Sequence, residues 1–172
     1  MSKEVINDIE KEISKNESCK MLVWGLGYDS DMWWNLTNKN TYFVESKDEY
    51  IEMNKSIDSK NIIKYGYGNI NVRMSLIIPD KLAKTTPIPE SIEKLGPFDI
   101  ILIDGPYGNS LSGKGRLLPI YWSINKLSKP NTLIYIDDVN RDLEGLCVKK
   151  YCKPQNILKK YETRKGTIKY FV

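Results

Sequence analysis

Met21-Leu22-Val23-Trp24-Gly25-Leu26-Gly27 is the stretch on which the reading of this chain turns: four apolar residues halted by a Gly-x-Gly turn. A run this short, this continuous and bounded by glycine is a strand buried on both faces, and the glycines let a ligand approach the backbone closely. Upstream, Val5, Ile6, Ile9 and Ile13 recur at helical spacing in a charged segment. Downstream, Ser30 is positioned to cap a short helix carrying Met32, Trp33 and Leu36, and Thr41-Tyr42-Phe43-Val44 is a second strand. Ser46-Lys47-Asp48-Glu49 has the capping-box pattern ahead of an apolar face of Tyr50, Met53 and Ile57. A third strand falls at Ile62-Ile63-Lys64-Tyr65, although Val72, Met74, Leu76 and Ile78 alternate at period 2 and compete for that role. Pro87 and Pro89 break the chain, and Ile92 and Leu95 make a helical turn before the nearly all-apolar, hence central, strand Phe98 to Ile103. A glycine-rich loop runs to Arg116, and Pro119 opens a helix through Tyr121, Trp122, Ile124 and Leu127. Leu133 to Ile136 is a fifth strand, Leu143, Leu146, Cys147 and Tyr151 fit a helix, and a hairpin turns around Lys165-Gly166.

Strands alternating with helices predict an α/β fold: a Rossmann-like doubly wound sheet, mostly parallel, with a C-terminal antiparallel hairpin. At 172 residues with no repeat or low-complexity linker, residues 1–172 are expected to form one domain. A net charge of +4 does not point to a nucleic-acid partner. No apolar run approaches the roughly 18 residues of a membrane span, and the N-terminal residues do not read as a signal peptide, so a soluble cytoplasmic protein is expected. Cys19, Cys147 and Cys152 lack metal or disulfide spacing and read as buried free thiols. The chain contains no His, so acid-base or metal chemistry falls to carboxylates, Lys, Tyr or Cys.

In such a sheet the ligands gather at the carboxyl ends of the strands. Gly25, Gly27, Asp29 and Ser30 follow the first strand, Glu45 ends the second, Asp104-Gly105-Pro106 follows the fourth and Asp137-Asp138 the fifth. Glu45 stands where an acid accepts hydrogen bonds from two ribose hydroxyls. Ser30 replaces the third glycine of the dinucleotide fingerprint, which disfavours a nicotinamide cofactor and leaves S-adenosylmethionine as the better fit. A rival motif, Gly108 to Lys114, matches G-x-x-x-x-G-K and suggests a kinase or NTPase, but Gly115 offers the metal no hydroxyl. Asp104, Asp137 and Asp138 would repel one another without a positive neighbour: a hard divalent cation is one solution, and a raised pKa or nearby Lys114 or Arg116 is the other. Helix capping is the plainer role for Asp138 or Asn140.

These blocks resemble the plant glucuronoxylan 4-O-methyltransferase family, through Leu22 to Trp33, Phe43-Val44-Glu45, Phe98 to Pro106, Gly115-Arg116 leading to Ile120-Tyr121, and Asp138-Val139-Asn140-Arg141. The resemblance implies a class I S-adenosylmethionine-dependent O-methyltransferase acting on a sugar hydroxyl of a glycan, assisted by Mn²⁺, Mg²⁺ or Co²⁺. By position, Gly25, Gly27, Ser30 and Glu45 would bind the cofactor, and Asp104 and Asp138 would lie at the reaction centre. The metal ligands would be Asp104, Asp137 and Asp138, with Asp138 the proton acceptor. Arg116 and Lys114 would clamp an acidic sugar and Tyr107 would stack on it. Asp137 departs from the family pattern, which often has His there, and the plant proteins' N-terminal membrane anchor is not matched. A basic C-terminal stretch including Lys149, Lys150 and Lys165 raises an RNA methyltransferase as the alternative. A non-catalytic cofactor-binding scaffold serving a glycosyltransferase partner is the other.

Overall fold

The computed structural model describes residues 1–172. The strands are β1 (Met21–Trp24), β2 (Thr41–Glu45), β3 (Ile62–Lys64), β4 (Phe98–Ile103), β5 (Ser128–Asp137), β6 (Ile157–Tyr161) and β7 (Thr167–Phe171). They form one seven-stranded sheet in the order β3-β2-β1-β4-β5-β7-β6. β3 through β5 pair in parallel, and β7 pairs antiparallel with both β5 and β6. The strand order reverses between β1 and β4, which opens a crevice at their carboxyl ends.

Strands buried on both faces need apolar residues at every position, and β1 and β4 meet that need. Leu22, Trp24, Ile101, Ile103, Ile134 and Ile136 face one core, shared with α4 (Val72–Ile77), α5 (Pro79–Thr85), α6 (Glu90–Glu93), α7 (Leu117–Trp122) and α8 (Asp142–Tyr151). Met21, Val23, Phe43, Ile100, Leu102 and Tyr135 face the other, with α1 (Lys3–Ile13) and α2 (Ser30–Leu36). Trp33, Trp34 and Trp122 are core residues, and all three cysteines are buried and free.

Three local expectations are corrected. Ser46 to Glu49 does not close a capping box: Glu45 Oε1 accepts the Ser46 and Lys47 N–H groups (2.6 and 2.9 Å) and the Ser46 hydroxyl (3.2 Å), and α3 (Asp48–Met53) begins without a side-chain cap. The alternating segment after β3 is helix α4, because Asn71 Oδ1 caps it by accepting the Met74 N–H (3.0 Å). Helix α7 starts at Leu117, two residues before Pro119.

Helix α1 is bound to the sheet by Asp8, whose Oδ2 accepts from the hydroxyls of Tyr135 (2.6 Å) and Tyr161 (2.8 Å) and from Lys169 Nζ (2.9 Å). Burial alone would raise the Asp8 carboxyl, but Lys169 and the two phenols outweigh it and hold it at about 2. Asp8→Asn is expected to cost about 2 kcal/mol and lower Tm by about 4–8 °C at pH 7. Because the folded-state value lies below the unfolded one, this stabilisation is complete above about pH 4 and fades as pH falls toward 2. Thermal melts of both proteins between pH 2 and 7 should therefore converge at the acid end.

Candidate active site

Backbone contact between two glycines makes the floor of the crevice. Gly25 has φ +112°, and a Cβ there would lie 3.2 Å from Gly105 N, so the end of β1 tolerates only glycine. Gly105 returns the constraint: its Cβ would meet Gly25 Cα at 2.9 Å. Gly27 is different, since a Cβ there meets nothing closer than Asp29 Oδ1 at 3.6 Å. Its N–H donates to Ser30 Oγ (2.8 Å). Ser30 is therefore the buried anchor of the turn and does not line the crevice, and it is not the helix cap, a position taken by Asp29.

Glu45 crosses from β2 to the same turn, its Oε2 accepting the Leu26 N–H at 2.9 Å. One carboxylate thus fixes both the glycine turn and the start of the β2–α3 connection. The crevice has a volume of 680 Å³ and is lined by Gly25, Gly27, Asp29, Glu45, Asp104 and Tyr107 among others. Tyr107 is 56% exposed on its rim, and Lys47 Nζ lies 5.9 Å from its ring centroid. A second groove of 690 Å³, between α2, α3 and β3, has neither a glycine turn nor a carboxylate cluster.

Asp104, Asp137 and Asp138 come together at the ends of β4 and β5, with carboxylate oxygens within 4.8 Å of one another. Arg116 sits among them. Its Nη2 is 2.6 Å from Asp138 Oδ2 and 3.3 Å from Asp104 Oδ1, and it also donates to Asp104 O; Nη1 donates to Asp137 O at 2.6 Å. Arg141 Nη1 lies 2.9 Å from Asp138 Oδ2, and Lys165 Nζ 3.7 Å from Oδ1. The side chains of Arg116 and Asp138 are 3% and 1% exposed. Arg116 therefore ties the two strand ends together, and its fork is not free to clamp an acidic sugar.

Lys114 is also displaced from its expected place: it lies outside the crevice and donates to Gly68 O at 2.6 Å. The Gly108–Lys114 run is thus a loop tied to a neighbouring turn, with its lysine directed to Gly68 O outside the crevice. Gly115 serves packing, since a Cβ there would fall 2.4 Å from Leu143 Cδ2. The loop's role was hidden in the sequence because Gly68 and Leu143 are remote from it along the chain.

Asp104 and Asp138 both line the crevice, the Asp104 side chain 36% exposed and that of Asp138 only 1%. Desolvation raises the Asp104 carboxyl to about 6, with Arg116 pulling down and Asp137 pushing up. Asp137 Oδ1 accepts the Thr167 hydroxyl at 2.6 Å, whereas neither oxygen of Asp138 accepts an aligned hydrogen bond despite its ionic neighbours. Oxygen-only donors at this spacing, two of them without aligned donors, suit a hard divalent cation. Arg116, Arg141 and Lys165 balance the same three charges from within the protein.

No family model matches the chain. Glucuronoxylan 4-O-methyltransferase 1 of Arabidopsis thaliana is 27% identical across 93% of the chain. The chain resembles the glucuronoxylan 4-O-methyltransferases. Protein IRREGULAR XYLEM 15, from the same plant, is 25% identical across 81% of the chain. The chain spans 63% of the first relative's length and 51% of the second's. An O-methyltransferase from Bacillus cereus, solved in complex with SAH (S-adenosylhomocysteine), superposes with a TM-score of 0.59 at 17% identity, covering 100% of this chain and 82% of the other. The chain shares its seven-stranded fold with that O-methyltransferase. No helix of the chain is long and apolar enough to cross a membrane.

Proposed function

We propose that residues 1–172 form one S-adenosylmethionine-dependent O-methyltransferase domain whose acceptor is a sugar hydroxyl of a glycan. The observation that carries this reading is the joining of Gly25, Gly27, Asp29 and Glu45 to Asp104 in one crevice at the strand-order reversal. The resemblance to the glucuronoxylan 4-O-methyltransferases supports the sugar, and the fold shared with the SAH-bound enzyme supports the cofactor.

Gly25 and Gly27 would let the amino-acid part of the cofactor lie against the backbone, and Glu45, which lines the same crevice, would accept from the ribose hydroxyls. Methyl transfer is an in-line displacement: a bond forms from the acceptor oxygen to the methyl carbon, the carbon–sulfur bond breaks, and S-adenosylhomocysteine leaves. The acceptor proton must go to a base. Asp104 would take it in preference to Asp138, because its side chain is the more exposed of the two, whereas Asp138 is buried beneath two guanidinium groups. If Asp104, Asp137 and Asp138 instead hold a divalent cation, its chemistry when bound is to acidify the acceptor hydroxyl, and Asp104 then serves as a ligand and not as the free base. Tyr107 offers the sugar a ring at the rim.

The test is a thermal shift with S-adenosylhomocysteine, ATP or NAD, each with and without Mn²⁺. S-adenosylhomocysteine at about 100 times its Kd should stabilise the fold by roughly 2.7 kcal/mol, a rise of several degrees. Stabilisation by ATP and Mn²⁺ alone would overturn the reading. Transfer of labelled methyl to uronate-bearing oligosaccharides, but not to RNA, then separates the sugar from the nucleic-acid acceptor.

A further inference from the structure

Asp138 holds a φ of +62°, a left-handed conformation that a non-glycine residue keeps only when its surroundings impose it. The surroundings here are the turn between β6 and β7. Val139 N–H donates to Gly166 O (3.1 Å) and Asn140 N–H to Lys165 O (3.0 Å), so two carbonyls of a distant hairpin grip the chain immediately after Asp138. Arg141 N–H closes the bend by donating to Asp138 O (2.9 Å). Gly166 has φ +69°, and a Cβ on it would lie 2.6 Å from Asn140 Oδ1 and 2.8 Å from Asn140 Cγ. These contacts carry the antiparallel pairing of β5 and β7 on past Asp137 and Thr167, through the bend at Asp138.

We propose that Gly166 is a positioning residue for the reaction centre. The turn fixes the bend at Asp138, Asp138 fixes the Arg116 guanidinium, and Arg116 in turn fixes Asp104 at the mouth of the crevice. The catalytic consequence rests on the methyltransferase reading given above; the mechanical one does not. The β6–β7 hairpin lies beside β5, so its turn reaches the end of that strand.

Gly166→Ala drives a methyl group into the Asn140 side chain, and Gly166→Ala with Asn140→Gly removes that obstruction while the alanine keeps the strain of a left-handed φ of +69°. In ¹³C-carboxyl spectra the Asp138 resonance is expected to move in the single variant and to return toward its place in the double one. Methyl transfer by the single variant should fall in kcat by about 10–100-fold, in line with the cost of a small misplacement. KM for S-adenosylmethionine and the affinity for S-adenosylhomocysteine should stay within about twofold, and the double variant should regain part of the lost rate, the part that the clash with Asn140 had cost. An unmoved Asp138 resonance overturns the proposal, as does a moved resonance with unchanged kcat, or a loss shared equally by cofactor affinity and left unrescued. Should Gly166→Ala fail to fold, hydrogen exchange in the unaltered chain decides: protected Val139 and Asn140 amides support the grip and freely exchanging ones overturn it. Absence of methyl transfer from the unaltered chain would instead count against the proposed function, with the carboxyl resonances and amide protection still reporting on the turn.

Discussion

Asp104→Asn is expected to lower turnover by about 10²–10⁴-fold, the range associated with removing a positioned proton acceptor. Asparagine keeps the shape of the side chain and an oxygen for the Arg116 contact at 3.3 Å, so the strand ends should stay in place. Affinity for S-adenosylhomocysteine should be unchanged, because the glycine turn and Glu45 are untouched. Calorimetry and single-turnover methyl transfer measure the two quantities separately. A variant that retains full turnover would move the proton acceptor elsewhere. The same carboxyl can be followed in the metal-free chain by ¹³C resonance, where its midpoint should fall near 6. Because that value is raised above the unfolded one of 3.8, the contribution of Asp104 to stability declines as pH rises through 4 to 6. In the metal-free chain turnover moves the opposite way, rising as the pH passes through about 6 and the base becomes ionised.

Arg116→Met is expected to destabilise the fold by about 3–5 kcal/mol, the usual result of leaving a buried charge without its partner. Asp138 is 1% exposed and would keep only Arg141 at 2.9 Å and Lys165 at 3.7 Å. Methionine also abandons the carbonyls of Asp104 and Asp137, which the guanidinium fork spans. Arg116→Lys restores the charge but not the fork, so it should recover only part of the loss. Denaturant melts of the three proteins give the comparison. Equal stability of Arg116→Met and the unaltered chain would mean that the strand ends hold without this cation.

The two expectations differ in how far the sequence alone supports them. Asp104 stands directly after an apolar strand, so its place at a carboxyl end follows from local pattern, as do those of Gly25 and Glu45. Nothing in the neighbours of Arg116 announces that its side chain is buried. It reads as a basic residue in an exposed glycine-rich loop, and only the pairing of β4 with β5 brings three carboxylates around it. Ser30 and the Ser46–Glu49 segment misled for a related reason. Each carries a capping residue, but the Gly27 amide in one case and the Glu45 carboxylate in the other had a stronger claim on the available partner.

What the sequence by itself determined is the alternation of strands and helices, the hairpin at the end, and the glycines and acids at the strand termini. These are properties of periods and neighbours a few residues apart, which apolar burial and backbone sterics enforce locally. The tertiary structure alone decided that Asp104 is the more exposed acid of the cluster, that Arg116 is buried among the three, and that the turn at Gly166 grips the residues after Asp138. Those outcomes depend on contacts between segments distant in the chain, where burial and geometry settle the competition for a charge or an amide.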